Sequence, residues 1–423
     1  MLATVAEAPT PPAAWTAATR IAFRFCFLYF GLYVLTTQML NGLIVVPKWG
    51  FPPIETLPPF RNLIEWTAAH VFGLPPPLVI TGSGSGDKAA NWVAAFCLLV
   101  IATLGTVVWS ALDRKRTAHH LLNRRFRLFM RFAVGTTMLS YGIVKVFPLQ
   151  MPYPPLTRLL EPFGNFSPMG VLWYSIGASP GYERFAGSME LIAAVLLFIP
   201  RMSLIGALVC FADAVQIFML NMTYDVPVKL FSLHLILMSL FLLAPDIPRL
   251  AKALVARVPG GKVLVAAQIV LGAYYIGSGL YQANRSWHVF GGGAPKPALY
   301  GIWNVERMYV DGVERAPLVT DAGRWRRVVI QNTAVFHLQR MDETLVSYPA
   351  KFDPSGKTIA LSKPTDKAWM TTFAVNRADA DHMTLTGAMD AHTIEMRAAR
   401  LDHGKFLLVS RRFNWVQEYP FNR

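Results

Sequence analysis

Four charged side chains stand inside stretches otherwise fit for hydrocarbon: Lys145, Glu190, Asp213 and Lys229. A charge at the centre of a bilayer costs roughly 2.5–3.5 kcal/mol even on the lenient insertion scale, so such groups turn inward and pair. Polar neighbours recur at helical spacing: Tyr141 lies one turn from Lys145, Ser232 shares a face with Lys229, and Gln216 and His234 lie close by. On the helix after Lys145, Glu183, Gly187 and Glu190 share one face by i, i+4, i+7 spacing. Two acids and two bases could neutralise one another as helix adhesive. They could equally line a polar pocket, supplying proton donors and acceptors beside an apolar slot. Both readings stay open on the sequence. His234 reads as a satisfied core histidine, and no H-E-x-x-H or comparable metal-ligand spacing occurs.

These residues need helices to hold them. Of the 423 residues, 53% are hydrophobic and 15% charged, against about 25% charged in soluble domains. A helix needs about 20 mostly apolar residues to cross the hydrocarbon core, and candidate spans cover 21–46, 90–112, 128–147, 185–200, 202–221, 226–244 and 262–281. The expected fold is an α-helical polytopic membrane bundle of about seven helices with a C-terminal antiparallel β-barrel. The chain divides into a tail (1–20), two helices with an outer loop (21–127), a four-helix core (128–250), a seventh helix with linker (251–297) and the β domain (298–423).

The formal charge of +15 is placed for a membrane rather than for nucleic acid, and no nucleic-acid motif accompanies it. The basic run Arg114, Lys115, Arg116, Arg124, Arg125, Arg127 and Arg131, then Arg201, then Arg249, Lys252 and Arg257 all fall on one side. The positive-inside rule makes that side cytoplasmic. The N-terminus, which does not read as a cleavable signal, is then cytoplasmic, and the C-terminal domain lies outside the inner (plasma) membrane. Residues 60–73 read as a short interfacial helix. Proline at 148, 152, 154, 155, 162, 168 and 180 marks segment 148–184 as a folded cap rather than a span.

After Gly291-Gly292-Gly293-Ala294-Pro295-Lys296-Pro297 the period changes to that of short strands: 302–310, 325–331, 334–339, 344–352, 358–362, 370–375, 383–386, 393–397 and 406–411. Asp311-Gly312 and Ser355-Gly356 fit tight turns. This pattern favours a small barrel. The three cysteines, Cys26, Cys97 and Cys210, lie in apolar segments without a C-x-x-C pair, so no thiol-redox or thiolate-zinc site is indicated.

Residues 128–250 resemble the DoxX-like superfamily of four-helix membrane proteins. The resemblance rests on Tyr141-Gly142-Ile143-Val144-Lys145, Gly187-Ser188-Met189-Glu190, Gly206-Ala207-Leu208 after the Pro200-Arg201 turn, and Asn221-Met222-Thr223-Tyr224-Asp225-Val226-Pro227-Val228-Lys229. The namesake relatives are associated with a thiosulfate:quinone oxidoreductase, which implies quinone as a ligand. The polar residues of the apolar helices, with Asn221 and Asp225 of the matching stretches, give a candidate intramembrane polar site of Tyr141, Lys145, Glu190, Asp213, Gln216, Asn221, Asp225, Lys229 and His234. Cys210, a lone thiol one turn before Asp213, reads as a core residue rather than a sulfur-handling group. In the β domain, Gly301-Ile302-Trp303 resembles the G-x-W signature of lipocalin-like barrels. That resemblance implies a basic residue from the last strand over the tryptophan, a role for Arg411 or Arg412.

Three functions are compatible with these residues. One is a redox-associated subunit holding a quinone headgroup. Another is an amphiphile or lipid carrier, which requires an empty barrel. The third is an assembly factor whose partners are other membrane proteins. Walker and dinucleotide-binding loops are missing, so ATP-driven work and nicotinamide binding are not expected.

Overall fold

The computed structural model describes residues 14–44, 52, 54–254, 262–289, 291–363 and 366–423. The expectations for the N-terminal tail through residue 13 and for Arg257 lie outside the described residues. The chain forms two compact units, residues 1–256 with 410–423 and residues 257–409.

The first unit is helical. Its helices are α1 (Ala17–Thr36), α2 (Met39–Leu43), α3 (Pro58–Val71), α4 (Ala89–Leu112), α5 (His120–Val146), α6 (Leu156–Leu159), α7 (Pro168–Gly177), α8 (Pro180–Phe198), α9 (Ser203–Thr223), α10 (Lys229–Leu243) and α11 (Ile247–Leu254). In α4 the buried residues Ala90, Val93, Ala94, Cys97 and Leu98 recur every three or four positions. Leu99, on the opposite side, is 44% exposed, and Leu104, Val107 and Val108 further along the helix are more than half exposed. Apolar residues on both faces are what a helix set in lipid requires. Among the described residues, α1, α4, α9, the run Lys229–Ala253 and a helix of the second unit are long and apolar enough to cross a membrane.

Glycines bring α5 and α8 close together. A Cβ on Gly142 of α5 would lie 2.8 Å from the Gly187 carbonyl of α8, and one on Gly187 would lie 2.7 Å from the Gly142 carbonyl. Small residues at such a crossing let the two backbones meet. The proline-rich stretch after α5 is broken into the short helices α6 and α7 and a 3-10 turn at Phe163–Asn165, since proline cannot continue a helix interior.

The second unit begins with α12 (Lys262–Val289), none of whose residues is buried. Nine strands follow: β1 (Gly301–Val310), β2 (Val313–Glu314), β3 (Trp325–Ile330), β4 (Val335–Arg340), β5 (Leu345–Phe352), β6 (Thr358–Lys363), β7 (Asp366–Arg377), β8 (His382–Met389) and β9 (His392–Leu401). They form one antiparallel sheet in the order 2-1-3-4-5-6-7-8-9, and pairing of β1 with β9 closes it. Two-residue β2 is only a hairpin return on β1, so the barrel has eight strands. Asp311 and Gly312 join β1 to β2 with both φ angles positive, 52° and 78°, as a two-residue turn of the type favoured in hairpins demands.

Inward-facing side chains fill the barrel. Trp303, Met308, Val328, Phe336, Leu338, Phe373, Leu385 and Met396 are each at most 3% exposed and form one continuous core. An eight-stranded barrel is just wide enough to be packed this way. The expected last strand, 406–411, is instead a turn and the one-turn helix α13 (Leu407–Ser410). Residues 410–423, assigned above to the β domain, belong to the helical unit. Arg411 and Arg412 therefore do not lie on a barrel strand. The basic residue beside the tryptophan is Arg400, which pairs with Trp303 across β1 and β9. A Cβ on Gly301 would lie 3.2 Å from Arg400 Nε and 3.7 Å from Trp303 Nε1, so glycine there makes room for both side chains.

Candidate functional site

The third and fourth helices of the sequence reading, α5 and α8, carry the polar face where it was expected. Lys145 pairs with Glu190, with side chains 10% and 2% exposed. Two turns further out, Glu183 Oε1 accepts the Met151 amide at 2.9 Å. Gly187 lies between them at the helix crossing, so one face of α8 binds the cap, touches α5 and pairs with its lysine.

These groups border a cavity of about 150 Å³ among α5, α7, α8, α9 and α10. Tyr141, Lys145, Glu190, Asp213, Gln216 and Asn221 of the expected set line it, together with Glu183 and Gln150. Leu172, Trp173, Ile176, Phe185 and Met189 provide apolar wall. Glu183 Oε2, Glu190 Oε2, Asp213 Oδ2 and Gln150 Oε1 are buried without a hydrogen-bond donor. Buried polar atoms are nearly always paired in folded proteins, so four unmet acceptors around one space ask for a ligand or water that donates. Asn221 is held in place, donating to Ser232 Oγ at 3.0 Å and to the Val228 carbonyl at 3.3 Å. Gln38 Nε2 donates to the Tyr141 hydroxyl at 3.0 Å, and Tyr141 also borders a second cavity of about 430 Å³.

Asp225 and Lys229 stand apart from this cavity. Asp225, at φ 54°, turns the chain between α9 and α10, and its carboxylate meets the returning C-terminal segment. Arg411 donates to its Oδ2 at 2.8 Å from Nη2 and at 3.0 Å from Nε. The Asn414 amide donates to Oδ1 at 2.9 Å and Gln417 Nε2 does so at 2.8 Å. Lys229 Nζ lies 3.2 Å from Asp225 and 3.6 Å from Asp87, with the Phe413 ring centroid 5.2 Å away. Asp87 accepts the Lys229 and Leu230 amides at 2.8 and 2.9 Å, capping α10 as carboxylates cap helix N-termini. Burial pushes the Asp87 carboxyl up, and these two amides and Lys229 oppose that. Two carboxylates and two cations are thus mutually satisfied, and this second cluster fastens the C-terminal segment.

His234 belongs to a third environment. Its Nδ1 lies 2.7 Å from the Leu230 carbonyl and therefore carries the proton, leaving Nε2 to accept the Tyr29 hydroxyl at 2.8 Å. The Tyr33 ring stacks on it at 3.8 Å. Cys210 is buried and accepts from Ser239 Oγ at 3.2 Å.

No family model matches the chain, and no solved structure matches it. A curated relative does: the uncharacterized protein YwoB of Bacillus subtilis (strain 168) is 32% identical over 130 residues, a span covering 29% of this chain and 74% of the relative. The chain belongs to the YwoB family. The name YwoB carries no activity to transfer, so the chemistry rests on the residues.

In this YwoB-family chain, sequence reading missed Gln150, Asp87, Asn414, Gln417 and Glu418 as members of the polar sites. Glu418 Oε1 accepts the Ala89 amide at 3.1 Å. Asp87 had a legible signal, an acid just ahead of an apolar helix. The others sit in loops or in the C-terminal segment, where no periodicity announces a partner. Glu183 was legible on the shared face but was not placed in the site.

Proposed function

We propose that the chain is a DoxX-like membrane protein with seven transmembrane helices. In this reading α5 and α8 cross the bilayer despite their charges, and the cavity opens toward the extracytoplasmic side. It holds the headgroup of a quinone in its reduced, hydroxyl-bearing form, and the chain is the quinone-binding member of a redox assembly. One observation supports this most: four acceptor oxygens without donors surround an apolar-walled space. A hydroquinone offers two hydroxyl donors on a flat apolar ring, and Lys145 supplies a donor for a quinone carbonyl. The volume, well below the roughly 300–1,000 Å³ of sites for drug-sized ligands, suits one ring with its tail left in lipid. Phe185, 62% exposed, and Tyr182 flank such a tail. The packed barrel interior speaks against amphiphile delivery through the β domain. That domain, of lipocalin-like type, is then a periplasmic docking module for other membrane proteins.

The test is mass spectrometry of small molecules retained by gently purified protein, wild type against Glu190→Gln. Enrichment of a quinone in the wild type, reduced roughly tenfold in a well-folded variant, is expected. Retention of an amine-bearing lipid instead would assign the carboxylates to a cationic headgroup. If neither variant retains anything and Glu190→Gln merely unfolds earlier, the pair is helix adhesive and the quinone assignment falls.

A further inference from the structure

The N-terminal end of α1 and the C-terminal end of α4 form a basic notch that neither polar cluster above uses. It is a cavity of about 210 Å³ bordered by Arg20, Arg24, Ser110, Asp113 and Arg114, with Ile21 at its rim. Arg24 is 3% exposed. It donates to Ser110 Oγ at 3.1 Å and to the Asp113 carbonyl at 2.9 Å, and Nη2 lies 3.5 Å from the Asp113 carboxylate. Its Nε is buried with no acceptor, so this guanidinium, with five donors in all, is under-used. Arg20 spends Nη1 on the Arg116 carbonyl at 2.9 Å. Asp113 is the single acid bordering the notch, and it is shared with His119 at 3.6 Å and with the Trp109 indole at 3.4 Å. Three guanidinium groups against one shared carboxylate leave an excess of two positive charges around an open space.

We propose that this notch binds the phosphate of an anionic phospholipid headgroup. Guanidinium forks match phosphate oxygens in charge and geometry, and basic pockets between membrane helices take anionic headgroups. A lipid rather than a free phosphate fits the surroundings. Ile21 is 51% exposed and Leu112 is 83% exposed, which leaves apolar surface for acyl chains directly beside the cations. The site is independent of the carboxylate-lined cavity and of any ligand there.

The experiment uses the full-length chain in detergent micelles doped with equimolar dioleoylphosphatidylglycerol and dioleoylphosphatidylcholine, read by native mass spectrometry. Wild type retains phosphatidylglycerol in preference. Arg20→Gln/Arg114→Gln loses that preference by roughly 25-fold, since each basic side chain beside an anionic headgroup contributes about a factor of five. Arg114→Gln alone, a change at an exposed side chain, loses about fivefold and serves if the double variant unfolds. Arg249→Gln, whose side chain is 85% exposed, keeps the full preference. Equal retention of the two lipids by wild type, or the same loss in Arg249→Gln, overturns the site. Displacement of the lipid by inorganic phosphate alone would make this a free-phosphate site and overturn the lipid assignment.

Discussion

Lys145 and Glu190 face each other in a setting where neither can be left alone. Removing one partner of a buried pair strands the other charge and typically costs about 3–5 kcal/mol, whereas replacing both with apolar groups is often neutral. Lys145→Met is therefore expected to lower stability in detergent by about that amount, and Lys145→Met/Glu190→Leu to recover most of it in thermal unfolding. The double variant should nonetheless lose any ligand of the cavity, which separates the pair's structural part from its binding part. On the barrel surface, Asp379 lies 2.9 Å from His382 Nδ1. The bond from His382 holds Asp379 below its ordinary carboxylate value, and Asp379 holds His382 above 6.5. The depressed acid contributes above about pH 3.9 and the raised imidazole below about 6.5, so their pairing is full between those values. It fades as pH rises through the raised histidine value or falls through the lowered aspartate value. A proton NMR titration should show His382 returning to the ordinary histidine range in Asp379→Asn.

Among the helices, the crossing of α5 and α8 decides whether the cavity exists. Gly142 and Gly187 put backbone against backbone, and no side chain fits at 2.7–2.8 Å from a carbonyl oxygen. Gly187→Leu should pry the two helices apart, part Lys145 from Glu190 and abolish ligand retention, while Gly277→Leu on α12, where nothing lies within 4 Å, should have no such effect. The C-terminal segment acts on α10 in a comparable way. Asp225 receives Arg411, Asn414 and Gln417 together, and a charge-assisted hydrogen bond contributes roughly 1.5–3 kcal/mol. Asp225→Ala should release residues 410–423 to proteolysis, read by mass spectrometry of the cleaved peptides, with a loss of about 2–4 kcal/mol, since Lys229 and Arg411 lose a partner.

At the scale of the molecule there are two cores of different kinds, one bordered by exposed apolar surface as a lipid-set bundle requires, the other enclosed by a sheet with no open edge. Trp303 is buried in the second, its indole donating to the Leu299 carbonyl at 3.0 Å. Arg324, 1% exposed, donates to the carbonyls of Arg315, Val305 and Glu306 at 3.0–3.3 Å. It serves there as a hydrogen-bond hub beside the register shift of β1 between Val305 and Arg307. Trp303→Ala should destabilise the barrel by about 3–5 kcal/mol and leave molecules retained by the helical cavity unchanged. Near-ultraviolet circular dichroism together with ligand mass spectrometry checks both halves of that expectation.

Periodicity alone determined much of this protein. Apolar runs of spanning length, the change to period two after Gly293 and the Asp311-Gly312 turn are local signals, and local chain geometry answers to them. The shared face of Glu183, Gly187 and Glu190 was legible for the same reason, because spacing on one helix settles which residues point together. Which charge meets which was not legible. Asp225 and Lys229 read as neighbours of Glu190 but bind Arg411 and Asp87, and the Asp225–Arg411 bond joins residues 186 positions apart. The rotation of each helix about its axis and the return of the C-terminal segment are fixed by packing across the whole unit, to which spacing along one element is blind. The same blindness exchanged Arg411 for Arg400 beside Trp303, since a strand ends where its ladder partner ends, and only the closed sheet decides that.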